Sequence, residues 1–216
     1  MSKSIIIIGK GYSITKCTKE FVDSHDEVAI INSPIYGEYE HLISNHADYL
    51  FTNKTGMLYS VDQIKKLGLK EMIFTGWSYQ KFQRQCNHVK MIYPNPNIYE
   101  ETLKKENLGP SSGIQALIYF LKGNIYNIIS LVGFDFYQVG LPPYYFDPKY
   151  VHQEMKYMWN GGWKNNVVNS INLHDEDKTI NYLINTIKNN PDIQFNIITL
   201  NDKFKSIEID NLNVVK

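Results

Sequence analysis

The first residues that could do chemistry form a glycine-rich turn near the start of the chain, Gly9-Lys10-Gly11-Tyr12-Ser13. A turn of this kind between a strand and a helix can place backbone N–H groups on a phosphate. It fails two tests for a dinucleotide site, because Ile14 stands where a third glycine is needed and Asn32 stands where an acidic residue would hold the ribose. No Gly-Lys-Ser/Thr follows at Walker A spacing. The turn is therefore a candidate phosphate site, and an NAD enzyme is disfavoured.

Two asparagines, Asn32 and Asn53, each follow a predicted strand at an equivalent place. The amide of asparagine offers donors and an acceptor without charge, which suits ribose hydroxyls and phosphate oxygens together. The structural alternative is that each asparagine only turns the chain. Two of them at equivalent strand ends, beside a glycine-rich turn, favour a binding role.

Further along the chain, two segments place polar groups at the ends of predicted elements. Ser112-Gly113 precedes a predicted helix, so it is a helix cap, an anion site formed by free N–H groups, or both. The segment Gly133-Phe134-Asp135-Phe136 follows a buried strand. Asp135 either accepts backbone N–H bonds or orients a ligand, and the sequence leaves both alternatives open.

A histidine near the end of the chain, His174, stands just before the acidic start of a predicted helix, Asp175-Glu176-Asp177. Asp175 and Asp177 form an Asp-x-Asp pattern, which metal-dependent glycosyltransferases use to hold Mg²⁺ or Mn²⁺ on a diphosphate. Acidic residues at a helix start also stabilise the helix dipole. Because the pattern lies at a helix start and not at a strand end, we favour the helix role and expect no metal.

These residues must be positioned by alternating strands and helices. The apolar runs predict strands at Ile5–Ile8, Glu27–Ile31, Asp48–Thr52, Glu71–Thr75, Val89–Tyr93, Ile125–Val132 and Phe195–Leu200. The helical patterns lie at Ile14–Ser24, Tyr36–His46, Val61–Leu67, Ile114–Leu121 and Asp175–Lys188. Alternation of this kind predicts an α/β fold, Rossmann-like, with a mostly parallel sheet and helices on both faces. Ligands of such sheets bind at the carboxyl ends of the strands.

Composition limits the classes of function. The 216 residues carry 22 Lys+Arg and 22 Asp+Glu, so no net positive charge attracts nucleic acid. The length favours a single domain over 1–216. Two cysteines make neither a disulfide scaffold nor a zinc cage, and no apolar run reaches a membrane span. The expected location is the cytoplasm, with attachment to a membrane that carries the substrate left open. Arg84 is the only arginine, so any anionic ligand must be held by lysine, backbone N–H or neutral polar groups.

Taken in order, these motifs resemble those of the bacterial sialyltransferases of glycosyltransferase family 42, and more distantly family 29. The turn with Gly9, Gly11 and Ser13 is similar to the family's Gly-x-Gly-Pro-Ser turn, with Tyr12 in place of proline. The other similar segments, in chain order, are Asn32, Asn53, Ser112-Gly113, Gly133-Phe134-Asp135-Phe136-Tyr137, Tyr144-Tyr145-Phe146-Asp147 and His174.

The resemblance implies a variant of the GT-A-like fold and a donor that is a CMP-activated sugar, with sialic acid or a related sugar the first expectation. It implies an inverting, metal-independent transfer to a glycan acceptor, with CMP leaving and no cofactor. Asn32 and Asn53 are expected to contact ribose and phosphate, and Ser112 and Gly113 to meet the donor. The segment from Gly133 through Phe134 and Asp135 to Phe136 is expected to border the cytidine. Tyr144, with Tyr145, is expected to hydrogen-bond the departing phosphate, and His174 to take the acceptor proton.

A Tyr-, Trp- and Gly-rich stretch over about residues 138–170 is expected to be a flexible lid. Its Trp159–Trp163 part has no counterpart in the family. It is a platform for a sugar ring, a lid hinge or a contact between copies of the chain, so self-association stays open. Two other functions remain as alternatives: a CMP-binding module without catalysis, and a metal-dependent transferase that uses Asp175 and Asp177.

Overall fold

The computed structural model describes residues 2–32, 37–43, 46–52, 61–75, 89–92, 111–136, 138 and 175–215. Its strands are β1 Ser4–Ile8, β2 Glu27–Ile31, β3 Tyr49–Thr52, β4 Glu71–Phe74, β5 Lys90–Ile92, β6 Ile128–Val132, β7 Gln194–Ile198 and β8 Leu212–Val215. The α-helices are α1 Lys19–Asp23, α2 Val61–Leu67, α3 Ser112–Gly123 and α4 Glu176–Lys188. Short 3-10 helices lie at Tyr12–Lys16, Gly37–Leu42 and Asp202–Ser206.

The eight strands form one sheet in the order β5-β4-β3-β2-β1-β6-β7-β8, and every pairing is parallel. The chain runs from β1 outward to β5 and then returns to the other side of β1 with β6. The topological switch point therefore lies between β1 and β6, where open sheets of this kind bind ligands. We call the edge at which all eight strands end the carboxyl edge.

The side chains of β1 alternate between two apolar layers, which accounts for its four consecutive isoleucines. Ile6 and Ile8 belong to the layer that includes Ile64 of α2, and Ile5 and Ile7 belong to the layer that includes Leu117 of α3 and Leu183 of α4. A strand covered by helices on both faces needs apolar residues at every position. The predicted fold class, a parallel α/β sheet with helices on both faces, is confirmed.

Two predicted helices differ from the structure, and one strand was not predicted. The helix expected over Ile14–Ser24 is a 3-10 helix at Tyr12–Lys16 followed by α1, because Thr18 caps α1 by accepting a hydrogen bond from the Phe21 N–H at 3.2 Å. The helix expected over Tyr36–His46 is a 3-10 helix at Gly37–Leu42 among the residues that can be described. Strand β8 was not predicted, and it pairs with β7 through Ile197 and Val214.

Candidate functional site

The turns that follow β1 and β6 are packed against each other at the switch point. The Gly9 N–H donates to the Val132 carbonyl at 2.7 Å, and the Gly11 N–H donates to the Gly133 carbonyl at 2.9 Å. A Cβ on Gly9 would lie 2.5 Å from that Gly133 oxygen, and Gly133 itself has a φ of +73°. These glycines are therefore required by the close approach of two backbones. The contact of Gly9, Gly11 and Gly133 with a donor stays a prediction.

Asp135 joins the two turns to the end of β7. Its Oδ2 accepts from the Ser13 N–H at 2.7 Å, and its Oδ1 accepts from the Leu200 N–H at 3.0 Å and the Thr199 hydroxyl at 3.2 Å. The Ser13 hydroxyl donates to the Ile198 carbonyl at 3.1 Å. Of the two alternatives for Asp135, the structure shows the one in which it accepts backbone N–H bonds. Asp135 and Ser13 therefore join the turns after β1 and β6 to the end of β7.

Asn32 lies directly after β2 in a left-handed conformation, with a φ of 60°. Its N–H donates to the Phe51 carbonyl at 2.6 Å, which fixes the backbone against β3. Its Oδ1 is buried and has no hydrogen-bond partner among the described residues. A buried acceptor without a partner is costly, and this one is free to receive a hydrogen bond from a ligand.

Lys10, between the two glycines of the first turn, is buried with 8% of its surface exposed. Within the described ranges, its Nζ has no hydrogen-bond partner. Burial lowers the pKa of the Lys10 ammonium to about 7. In the sequence, Lys10 stands out only as part of the glycine-rich turn. The single arginine indicates that lysines are candidates to hold an anion, but it does not distinguish Lys10 from the others.

The amino end of helix α3 also lies at the carboxyl edge. The Ser112 hydroxyl is 3.0 Å from the hydroxyl of Thr75, the residue after β4. Gly113 is covered by the Phe134 ring, since a Cβ there would lie 2.6 Å from the Phe134 Cε1. The structure thus brings Ser112, Gly113 and Phe134 together, and their contacts with a donor stay predictions. The N–H groups of the first helical turn lie next to them.

Phe136 ends this segment with a φ of 53°, a conformation that bulky residues rarely adopt. Its ring stacks on Phe204, with centroids 5.8 Å apart and an interplanar angle of 18°. Phe204 belongs to the 3-10 helix Asp202–Ser206, which the sequence analysis did not predict. Two further bonds join this helix to Gln138: the Asp202 N–H donates to the Gln138 Oε1 at 2.8 Å, and the Gln138 Nε2 donates to the Asp202 Oδ2 at 3.2 Å.

Helix α4 begins beside this segment. The Asn201 Nδ2 donates to the Asp135 carbonyl at 3.2 Å and to the Glu176 Oε1 at 2.9 Å. Asp175 caps the helix by accepting from the Lys178 N–H at 3.0 Å. That bond is the main cause that lowers the pKa of the Asp175 carboxyl. The amino end of α4 therefore lies at the carboxyl edge.

The two carboxylates of the Asp-x-Asp pattern serve the helix and its neighbours. Asp175 is the cap, and Asp177 accepts from the Lys203 Nζ at 2.5 Å. Among the described residues, no group of three or more His, Cys, Asp or Glu side chains is arranged to hold a metal ion. The described helices also include none that is long and apolar enough to cross a membrane.

Several predicted site residues lie outside the described residues. They are Asn53, Tyr144, Tyr145, His174, nearly all of the predicted lid at 138–170, and the Trp159–Trp163 segment within it. Their assignments stay predictions. The residue next to His174, Asp175, is described and lies at the start of α4.

The Rossmann-like sheet, with tightly packed turns at its switch point, defines an α/β fold, and the candidate site lies at the edge where sheets of this class bind ligands. Several solved structures with the same fold are sialyltransferases. The sialyltransferase CstII from Campylobacter jejuni, in complex with the substrate analogue CMP-3FNeuAc, is 15% identical, with 100% of this chain and 89% of that chain covered at a TM-score of 0.59.

Two further structures share the fold. The monofunctional α-2,3-sialyltransferase Cst-I from Campylobacter jejuni is 15% identical, covering 91% of this chain and 76% of that chain at a TM-score of 0.62. A mammalian sialyltransferase is 13% identical, covering 90% of this chain and 68% of that chain at a TM-score of 0.52. No protein-family model matches the chain, and no curated protein matches it. The chain therefore has the sialyltransferase fold, at sequence identities that show the fold alone.

Proposed function

We propose that this protein is a glycosyltransferase that moves sialic acid, or a related sugar, from a CMP-activated donor to a glycan acceptor. The shared fold supports this proposal, and so does the ordered set of motifs along the chain. The reaction inverts the anomeric carbon and needs no metal ion. It uses no cofactor, because the activated donor carries the leaving group.

The single observation that carries the proposal is the unpartnered, buried Oδ1 of Asn32 at the carboxyl edge. A ribose hydroxyl or a cytosine amino group is a donor that such an oxygen can accept from. The left-handed backbone of Asn32 is fixed by its bond to β3, so the amide is positioned before a ligand arrives. A group that is fixed before binding loses less conformational freedom when the ligand arrives, which favours affinity.

In this proposal, residues beside the carboxyl edge have separate roles in the reaction. Ser112, Gly113 and the start of α3 meet the anionic donor, since helix N-termini favour negative charge. Tyr144 and Tyr145 donate hydrogen bonds to the departing phosphate. His174, directly before α4, takes the proton of the acceptor hydroxyl as a neutral imidazole near pH 7.

The first test concerns the nucleotide. Thermal shift and calorimetry with CMP, UMP, GDP, UDP and NAD should give selective stabilisation by CMP, because a ligand that binds only the folded state raises its stability. Replacing Asn32→Gly removes the amide, and glycine tolerates the left-handed backbone. This variant should bind CMP roughly tenfold more weakly, as expected for loss of a buried hydrogen bond.

The matched control is Asn213→Ala on the exposed side of β8, which should leave CMP affinity unchanged. Equal affinity of wild type and Asn32→Gly would remove Asn32 from the donor site. Equal stabilisation by all five nucleotides would contradict the assignment of the donor.

The second test concerns catalysis. Incubation with CMP-sialic acid and a glycan acceptor should release CMP and form product, and it should do so in the presence of EDTA. His174→Ala should lower transfer by about a hundredfold or more, which is the usual contribution of a general base, while CMP affinity survives. CMP binding without any release in the wild type would indicate the non-catalytic module instead. Loss of activity in EDTA would favour the metal-dependent alternative.

A further inference from the structure

Lys10 is a buried lysine that has no partner in the part of the chain that the structure describes. Its exposed fraction is 8%, and its Nζ makes no hydrogen bond. Lysines are almost never buried unless they are paired, because a charge removed from water must be compensated. The lowered pKa of about 7 has the same cause, burial alone. A fold that retains such a residue gives up stability, which indicates that something outside the described residues compensates the charge.

The position of Lys10 is fixed on both sides. The flanking Gly9 and Gly11 N–H groups donate to backbone carbonyls at the end of β6. Strands β1 and β2 pair through Ile8 and Ile30, so Lys10 and Asn32 each lie two residues beyond the same register pair. A buried ammonium and a buried amide oxygen, both without partners, thus follow adjacent strands at the carboxyl edge.

The nearby charged group does not serve as its partner. Asp135 lies against the same turn, since a Cβ on Gly11 would be 2.7 Å from the Asp135 Oδ2. Both of its oxygens accept from Ser13, Thr199 and Leu200 instead. Among the titratable residues of the turn itself, Tyr12 is exposed at 38%. Among the described residues, no anion pairs with the ammonium, so the group that it lacks comes from outside them.

The hydrogen-bonding chemistry of the Lys10 Nζ and the Asn32 Oδ1 limits the class of ligand that could bind both. An ammonium has three N–H donors and suits a phosphate, whereas the amide oxygen of Asn32 needs a neutral donor such as a hydroxyl or an amino group. A nucleotide offers both kinds of group in one molecule. The chain has one arginine, so anion recognition cannot depend on several guanidinium groups.

We propose that the Lys10 ammonium binds the phosphate of the donor nucleotide. This inference rests on the proposed function and adds to it the group that holds the leaving phosphate. In the transfer, the bond between the anomeric carbon and the phosphate oxygen breaks, and its electron pair stays on that oxygen. The acceptor oxygen forms the new bond, and its proton goes to His174. Lys10 stabilises the negative charge that the departing phosphate gains.

The test compares CMP with cytidine, which lacks the phosphate, by calorimetry on the full chain. Lys10→Met keeps an unbranched side chain that is one atom shorter and removes the charge. We expect CMP affinity to fall roughly tenfold or more, as for a charge-assisted hydrogen bond, with cytidine affinity unchanged. The matched control is Lys16→Met, at an exposed lysine of the following 3-10 helix, which should bind both ligands like the wild type.

The outcomes distinguish failure of the Lys10 inference from failure of the proposed function. An equal fall for CMP and cytidine in Lys10→Met indicates a structural role for Lys10, and unchanged CMP affinity removes Lys10 from the phosphate site. Either result overturns this inference and leaves the proposed function standing. Failure of the wild type to bind CMP and cytidine overturns the proposed function as well.

Two further measurements separate a phosphate ligand from a packing residue. Without ligand, Lys10→Met should melt at a higher temperature than the wild type, because it removes an unpartnered buried amine. At pH 8, calorimetry in buffers of different ionisation heat should show that the wild type takes up close to one proton per CMP, and that the variant does not. A lower melting temperature, or the same proton uptake in the variant, overturns the inference.

Discussion

At the scale of single residues, a glycine-rich turn first suggests phosphate binding. The glycines at the switch point are instead required by the close packing of two turns. Gly9 and Gly133 allow two backbones to approach, and a Cβ on either would contact the other turn at 2.5 Å or 2.9 Å. At Gly9 and Gly133, the opposite turn leaves no room for a side chain. The residue between Gly9 and Gly11, Lys10, is the one whose side chain is left for a ligand.

This explanation predicts the effect of Gly133→Ala. The new Cβ would lie 2.9 Å from the Gly9 carbonyl carbon, and the backbone has a φ of +73°, so neither the space nor the conformation suits alanine. We expect the free energy of unfolding, measured by urea denaturation, to be roughly 2–4 kcal/mol lower than that of the wild type. We also expect weaker CMP binding, because the turn that carries Lys10 must shift.

The matched control is Gly123→Ala at the end of α3, where a Cβ would meet nothing within 4 Å. That variant should be neutral or more stable by up to about 1 kcal/mol, since alanine restricts the unfolded chain. Equal effects of the two substitutions would show that the packing of the turns is not what requires Gly133.

At the scale of elements, the sequence predicted what hydrophobic patterning controls. Helix α2 and strand β2 have the predicted bounds, because the apolar residues of α2 recur at helical spacing and those of β2 form a continuous run, as in a strand buried on both faces. The boundary between the 3-10 helix at Tyr12–Lys16 and α1 depends on the Thr18 cap, a local bond that periodicity does not report.

Strand β8 could not be predicted for a related reason. It has four residues, includes the polar Asn213, and owes its place to a contact that is distant along the chain. The Asn211 Nδ2 lies within hydrogen-bond distance of the carbonyls of Ile187, Asn190 and Ile193, at 3.1 Å, 2.9 Å and 2.9 Å. This amide ties β8 to the end of α4 and to the start of β7. Tertiary contacts of this kind leave no periodic signal.

The candidate site was predictable in outline for the same physical reason as the sheet. Carboxyl ends of parallel strands meet at one edge, so Asn32, Ser112 and Asp135 could be grouped from their positions after predicted strands or before a helix. What each side chain contacts could not be predicted. Asp135 bonds to the end of β7, and Lys10 lacks a partner, and both depend on packing between turns.

At the scale of the whole molecule, the two edges of the sheet differ in how their buried polar groups are satisfied. At the opposite edge, where the strands begin, Glu27 is 4% exposed and accepts from Tyr126, from Tyr49 at 3.2 Å and from Lys70 at 2.7 Å. Lys70 also pairs with Asp48 at 2.9 Å. In the part of the chain that the structure describes, the two buried polar atoms without partners, Lys10 Nζ and Asn32 Oδ1, both lie at the carboxyl edge.

One edge therefore stabilises the fold, and the other keeps unsatisfied groups for a ligand. Burial by itself would raise the pKa of the Glu27 carboxyl, but the hydrogen bonds from Lys70, Tyr126 and Lys3 outweigh it and hold the pKa below its ordinary value. Because the unfolded chain then binds more protons near that ordinary value, the contribution of Glu27 is present at neutral pH. It is lost as the pH falls below about 4.5.

Glu27→Gln tests whether one edge of the sheet stabilises the fold while the other binds the ligand. At pH 7 the free energy of unfolding should fall by roughly 2–3 kcal/mol, the range for hydrogen bonds to a charged group, while CMP affinity stays at the wild-type value. The difference from the wild type should narrow as the pH is lowered below about 4.5, since the wild-type carboxylate then takes up a proton. Urea denaturation at several pH values measures both, with Glu208→Gln on the exposed surface as the control. A gap that is constant with pH, or a parallel loss of CMP binding, would show that the two edges do not act separately.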